Sequence, residues 1–370
     1  MVLRVGDDLI STTAALVPGL TEWVGQRLVG EDVAADHQGP SPWVADICLI
    51  AGDASPRKYY RVVLGGVKPP STIIAVDSPP TEKNEEFLRI RDLLSDGGVR
   101  VPALIAADLE KGYLLLEDLG DETLLPRLNE ANADEWYSKG LESLADLASI
   151  DLSAGAPEAY SPKKLLQEMR LFTEWFVPRL LQIPMADDFE RAFSRLADFL
   201  ITSAQAQPQV LVHRDFHSRN LMLLPNDQLA VIDFQDAVLG PITYDPVSLL
   251  KDCYVRWPRD RQLTWVCEYQ ALLVTRGIMA PVSATEFIRW FDLMGLQRHI
   301  KVLGIFARLA FRDNKPQYLL DLSRVLGYTR EALGIYGDSD GEIGRFRDLF
   351  EKTIVPVCQS SDWFSPKASL

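Results

Sequence analysis

Two aspartates and an asparagine stand at spacings that suit phosphoryl transfer. In Val212-His213-Arg214-Asp215-Phe216-His217-Ser218-Arg219-Asn220-Leu221 an acid and an amide lie five residues apart, and Asp233 follows the next apolar run. Moving a phosphoryl group onto a hydroxyl needs a carboxylate to orient and deprotonate the attacking oxygen. It also needs oxygen donors that hold magnesium on the phosphates. Asp215 suits the first task, and Asn220 and Asp233 suit the second. Taken singly, each could be a turn-forming residue at the foot of a hairpin; the joint spacing is what points to chemistry. His213 and His217 read as structural hydrogen-bonding partners, although His217 alone could serve as a general base. Asp245, just ahead of Pro246, reads as a helix cap with a positional role.

The elements around this cluster fall into two kinds. Asp46 to Ala51, Arg57 to Leu64 and Thr72 to Asp77 are short runs rich in Ile, Val and Tyr between Gly and Pro turns, and predict three antiparallel strands. A charged helix pattern begins at Thr81, carries Phe87, Ile90, Leu93 and Leu94 at helical spacing, and stops at Gly97-Gly98. Leu104 to Asp108 and Tyr113 to Glu117 complete a β-β-β-α-β-β order, with a hinge expected at Leu119-Gly120. Beyond it the pattern is mainly helical: Ala133 to Ile150, Pro162 to Leu181, Asp187 to Ala206, Val247 to Tyr254, Arg259 to Arg276 and Thr285 to Arg312. One β interruption is evident, the hairpin Leu221 to Leu224 and Leu229 to Ile232 directly after the polar cluster.

The expected organisation is therefore an α+β chain. Residues 1–45 form an N-terminal extension with a short helix near Leu20 to Leu28; residues 46–119 form a small β-rich, nucleotide-binding N-lobe. Residues 120–358 form a mainly helical C-lobe holding the catalytic and metal-binding loops, and 359–370 a tail.

On the nucleotide side, Gly52, Asp53, Ala54 and Ser55 join the first two strands, where backbone N–H groups would meet ATP phosphates, aided by Arg57 and Arg61. An ordinary β-turn with exposed cations fits the same residues. Glu117 and Leu119, at the hinge, occupy the position from which extended backbone can pair with adenine. Polar residues able to face an acceptor beside Asp215 are Asp252, Arg256 and Arg298, and an arginine, with Arg298 the candidate, would suit a substrate that carries a carboxylate.

His213-Arg214-Asp215 with Asn220, followed by Ile232-Asp233-Phe234, resembles the catalytic and metal loops of protein kinases and their small-molecule relatives. Together with Gly52-Asp53-Ala54-Ser55, Asp77-Ser78-Pro79-Pro80, Leu116-Glu117-Asp118-Leu119-Gly120 and Gln297-Arg298-His299-Ile300-Lys301, it resembles the anomeric N-acetylmuramate/N-acetylglucosamine kinases. That resemblance runs from Asp46 to about Tyr328. It implies a bilobal, protein-kinase-like aminoglycoside phosphotransferase fold and transfer of the ATP γ-phosphate to the C1 hydroxyl of an amino sugar recovered from cell wall. ATP and Mg2+ are the implied cofactors. The strand Thr72 to Asp77 lacks the lysine that usually grips the α- and β-phosphates; Arg57, Arg61 and Lys83 are the candidate substitutes. Kinases of aminoglycosides, choline or homoserine share the same loop and remain alternatives. A nucleotide-sensing pseudokinase is a further one, prompted by the absent lysine.

Composition narrows the partners. The 370 residues carry a net charge of −14, which argues against a nucleic-acid surface, since phosphate backbones need clustered Lys and Arg. Binding to a membrane surface is disfavoured on the same ground. The four cysteines lie far apart with no Cys-x-x-Cys pair, so neither a zinc site nor a disulfide framework is expected. Asp7 and Asp8 stand where a secretory signal needs basic residues, so a cytoplasmic enzyme is expected; no obligate protein partner is evident from the sequence.

Overall fold

The chain divides into two units, residues 1–123 with 221–235, and residues 124–220 with 236–370. A computed structural model describes residues 19–28, 43–51, 56–66, 71–153, 155–225 and 227–366. β1 (Trp43–Ala51), β2 (Lys58–Gly65), β3 (Ser71–Asp77), β4 (Leu104–Asp108) and β5 (Tyr113–Glu117) form an antiparallel sheet in the order β1-β2-β3-β5-β4. Two further antiparallel pairs are β6 (Gln209–Val212) with β9 (Val238–Pro241), and β7 (Leu221–Leu224) with β8 (Gln228–Val231).

In the first unit, alternation along β2 buries Tyr60, Val62 and Leu64 on one face. The central strands β3 and β5 are apolar at successive positions and buried on both faces. α1 (Leu20–Leu28) turns Leu20, Trp23, Val24 and Leu28 into the same core as Tyr60, Ile73, Ala75, Tyr113 and Leu115. The helix read from sequence as part of an extension thus closes the sheet's hydrophobic face. Burial of each such side chain contributes about 1.5–3 kcal/mol. α2 (Asn84–Asp96) buries Phe87, Ile90 and Leu94, and ends where Gly98 adopts a left-handed φ of +84° that a side chain would disfavour.

The β7–β8 hairpin belongs with this first unit, whereas the linear reading places it inside the helical portion. Backbone bonds explain the difference. The Leu223 N–H donates to Glu122 O and the Val231 N–H to Arg100 O, both at 2.8 Å, and Phe234 packs on Phe87 with ring centroids 5.0 Å apart.

The second unit is built on helices: α3 (Ala133–Ala148), α4 (Pro162–Leu171), α5 (Asp187–Gln205), α6 (Tyr244–Leu250), α7 (Arg259–Thr275), α8 (Ala284–Phe311), α9 (Leu322–Tyr336), α10 (Gly341–Leu349) and α11 (Val355–Gln359). α8, 28 residues long, is the axis of this unit. It starts at an N-cap, with Ser283 Oγ accepting from the Glu286 N–H at 3.1 Å. α4 passes into a π-helical stretch, Phe172–Leu180, that contains Pro178. There α8 approaches so closely that a Cβ on Gly304 would lie 2.3 Å from the Leu171 carbonyl carbon. Phe172, Phe176, Phe193, Phe346 and Phe350 fill the core beside that crossing.

The elements expected from sequence do not include β6, β9 or the last three helices. α6 also begins at Tyr244, ahead of the expected Val247, which places Asp245 in its first turn. Trp363 and Phe364, expected in a loose tail, pack against the helical core, and the Ser365 N–H donates to Ser323 Oγ at 2.7 Å. No helix among the described residues is long and apolar enough to cross a membrane.

Candidate active site

The loop between β6 and β7 carries Asp215 and Asn220. Its shape is set by a carboxylate from α6: buried Asp245 accepts from the His213 N–H at 2.6 Å and the Arg214 N–H at 2.9 Å. Arg214 has a φ of 76°, a left-handed conformation that costs a side-chain-bearing residue energy and persists only where neighbours impose it. Both ends of its peptide unit are held, because Arg298 Nη1 donates to the Arg214 carbonyl at 2.6 Å. Within the loop, His217 N donates to Asp215 O at 2.9 Å, Asn220 N to His217 O at 2.8 Å, and Asn220 Nδ2 to Asp215 O at 3.0 Å. The last bond commits the amide nitrogen of Asn220 inward.

The Asp215 carboxylate stays 42% exposed, while the Arg298 side chain, 4% exposed, reaches its Oδ1 at 3.4 Å. Arg298 is fixed by a third contact, to the Tyr244 hydroxyl at 3.0 Å. Behind it Lys301 donates to the same hydroxyl at 3.0 Å and pairs with Glu168 at 3.0 Å. Glu168 also binds the Arg214 guanidinium and the Tyr160 hydroxyl. Burial alone would raise the Asp215 pKa; Arg298 first, then Lys301, His217 and Arg214, outweigh it and hold the carboxyl below its usual range. Asp215 is thus an ionised acceptor on a fixed support.

Asp252 and Arg256, expected to face an acceptor, are engaged within the protein. Buried Asp252 accepts from the Ser218 N–H at 3.0 Å, from the Ser218 hydroxyl, and from the Tyr254 N–H at 2.9 Å. Arg256 pairs with Glu331 at 2.6 Å and lies over the Tyr328 ring. Arg298 likewise faces Asp215, so the structure gives it a partner other than the substrate carboxylate expected from sequence. Sequence reasoning missed Glu168, Tyr160, Tyr244 and Lys301. The available signal was charge in the middle of an apolar helix, at Arg298, His299 and Lys301 of α8.

In the first unit, Gly52, Asp53, Ala54 and Ser55 lie outside the described residues. Arg57, just ahead of β2, is buried; its guanidinium donates to Ser78 Oγ at 2.9 Å and Glu82 O at 2.8 Å, and lies over Phe87. Arg61 reaches past the end of β5, bonding Asp118 at 2.5 Å and Asp121 at 2.7 Å. Burial pushes the Asp118 carboxyl up, but Arg61 and the Gly120 N–H bring it below its ordinary value. The two arginines expected near the phosphates are thus engaged within the first unit, and Lys83 stands exposed ahead of α2. The Glu117 side chain pairs with Arg100 and its N–H donates to Ala103 O at 2.9 Å; Leu119 is half-buried. Asp233 has a left-handed φ of 66°, and Gln235 donates to its Oδ1 at 2.8 Å.

Residues 46–281 match the model of a phosphotransferase enzyme family. The N-acetylmuramate/N-acetylglucosamine kinase of Pseudomonas putida is 39% identical over 317 residues, covering 85% of this chain and 91% of that protein. The kinase of the same name from Pseudomonas aeruginosa is 41% identical over 291 residues, covering 78% and 84%. Among solved structures, ADP-bound aminoglycoside phosphotransferase APH(2'')-Ib aligns with a TM-score of 0.56 at 14% identity, over 86% of this chain and 99% of that one. A choline kinase from Streptococcus pneumoniae aligns at 0.53 and 14%, over 83% and 99%. These structural likenesses establish the kinase-like α+β fold.

Proposed function

The chain belongs to the phosphotransferase enzyme family and is a small-molecule sugar kinase, and on that premise we propose that it transfers the γ-phosphate of ATP to the anomeric C1 hydroxyl of N-acetylmuramate or N-acetylglucosamine. Asp215 accepts the hydroxyl proton as the sugar oxygen bonds to phosphorus and the bond from phosphorus to ADP breaks. The products are a sugar 1-phosphate and ADP. The observation that carries the reading is an intact Asp215–Asn220 loop in a chain 39% and 41% identical to two kinases of that name. The half-exposed, ionised Asp215 carboxylate suits a general base acting by position.

Asn220 and Asp233 offer an amide oxygen and a carboxylate, hard oxygen donors of the type magnesium takes alongside substrate phosphates. Magnesium bound there would supply charge neutralisation of the transferring phosphoryl group. The left-handed backbone of Asp233 and its bond from Gln235 fix the carboxylate's direction. A sugar 1-phosphate is the chemical class a nucleotidyltransferase consumes, which fits recycling of cell-wall amino sugars by a cytoplasmic enzyme.

The test is ADP release with Mg-ATP against N-acetylmuramate, N-acetylglucosamine, glucosamine, kanamycin, choline and homoserine, with phosphorus NMR of the product. A C1 phosphate on either N-acetyl sugar is expected. Turnover on another acceptor alone would overturn the substrate assignment, and silence with ATP binding intact would favour nucleotide sensing.

A further inference from the structure

N-acetylmuramate differs from N-acetylglucosamine by a lactyl ether that ends in a carboxylate. A cation that reads this group has to stand beside the acceptor site without a protein acid already neutralising it. The arginines around the loop are mostly spoken for: Arg214 by Glu168, Arg298 by Asp215, Arg256 by Glu331, Arg259 by Asp292 and Arg324 by Asp321. Arg219 differs. It sits inside the turn that runs from Asp215 to Asn220, and among the described residues it forms no ion pair. Its guanidinium lies 3.4 Å from the centroid of the Tyr254 ring.

That stack is built rather than incidental. One buried carboxylate, Asp252, fixes both of its halves: it accepts from the N–H and hydroxyl of Ser218, the residue before Arg219, and from the N–H of Tyr254. The Tyr254 ring is further set edge-on against His217, 5.3 Å between centroids. Asp321 is near enough to feel the Arg219 charge, but its carboxylate is bonded to Arg324 at 3.0 Å. A guanidinium stacked by its face keeps its N–H edge for a planar, bidentate partner, which is the shape of a carboxylate.

We propose that Arg219, held on Tyr254, is the residue that recognises the lactyl carboxylate and so sets the preference between the two sugars. The inference rests on the sugar-kinase reading above, and it assigns to Arg219 the part that the sequence suggested for Arg298.

The experiment compares kcat/KM for the two sugars in the full-length protein and its Arg219→Gln and Tyr254→Leu variants. Arg219→Gln should lower the N-acetylmuramate to N-acetylglucosamine ratio by roughly tenfold or more, the scale of a charge-assisted pair. The loss should appear chiefly in KM for N-acetylmuramate, and the methyl ester of that sugar should not show it. Tyr254→Leu should move the ratio in the same direction by less. An unchanged ratio, with both sugars losing equally, would overturn the assignment while leaving the kinase intact. Absence of turnover on either sugar by the unsubstituted protein would instead overturn the function on which it rests.

Discussion

Arg298 Nη2 lies 3.4 Å from Oδ1 of Asp215, with its other nitrogen fixed between the Arg214 carbonyl and the Tyr244 hydroxyl. A single buried guanidinium therefore supports both the carboxylate proposed as the base and the strained peptide that precedes it. Lys301 and Glu168 hold that support from behind. The carboxylate proposed to act on the sugar is in this sense positioned by α8, which is far from it in sequence.

Replacing Arg298 by methionine should therefore act on chemistry rather than on recognition of one sugar. The expected result is a kcat lower by roughly 10^2 or more on both N-acetyl sugars, with their ratio preserved, because a displaced base misses its proton. Steady-state kinetics on the pair checks this. A selective loss of N-acetylmuramate would return Arg298 to the substrate.

Buried charge should also be visible in stability. Lys251 and Asp292, 1% and 0% exposed, pair at 2.8 Å, and Asp292 also takes Arg259 at 2.6 Å and the Tyr336 hydroxyl at 2.8 Å. Asp292→Ala strands a buried ammonium and should cost about 3–5 kcal/mol, whereas Lys251→Met removes the cation and leaves Asp292 its other partners, at a smaller cost. Denaturant unfolding of the two variants side by side gives the order; equal losses would contradict it.

His299 gives the pH dependence. It is buried against Tyr328, with Nε2 3.1 Å from Lys251 O, and burial together with the charges of Lys251, Arg298 and Arg256 lowers its pKa to about 3. The unfolded chain, with a pKa near 6.5, takes up the proton first as pH falls. Stability is thus complete above about pH 6.5 and lost toward pH 3, with a slope of at most about 1.4 kcal/mol per pH unit from this group. Thermal unfolding between pH 7 and 4 should show the decline, and His299→Gln should flatten it.

The proposed reaction groups were legible in the sequence because they lie on one contiguous stretch: Asp215, Asn220 and Asp233 are separated by short spacings that a reader can count. Their supports were not, since Arg298 reaches Arg214 across 84 positions and Glu168 reaches it across 46. Charge alone marked Arg298 as notable without disclosing its partner. β6 and β9 escaped for a different reason: they are no shorter than β7 and β8, but they pair with each other across residues 213–237, so no tight turn between them marks a hairpin. The helix α1 was visible, but its place in the sheet core depends on residues Tyr60 to Leu115 that come after it.

The most direct measurement is turnover of Asp215→Asn, an exchange of similar size that removes the base and keeps the loop's backbone bonds. With Mg-ATP and N-acetylmuramate or N-acetylglucosamine, the expected result is a fall in kcat of about 10^2–10^4 or more with nucleotide affinity retained. Turnover at the unsubstituted rate would contradict the assignment of Asp215 as the group that activates the sugar hydroxyl.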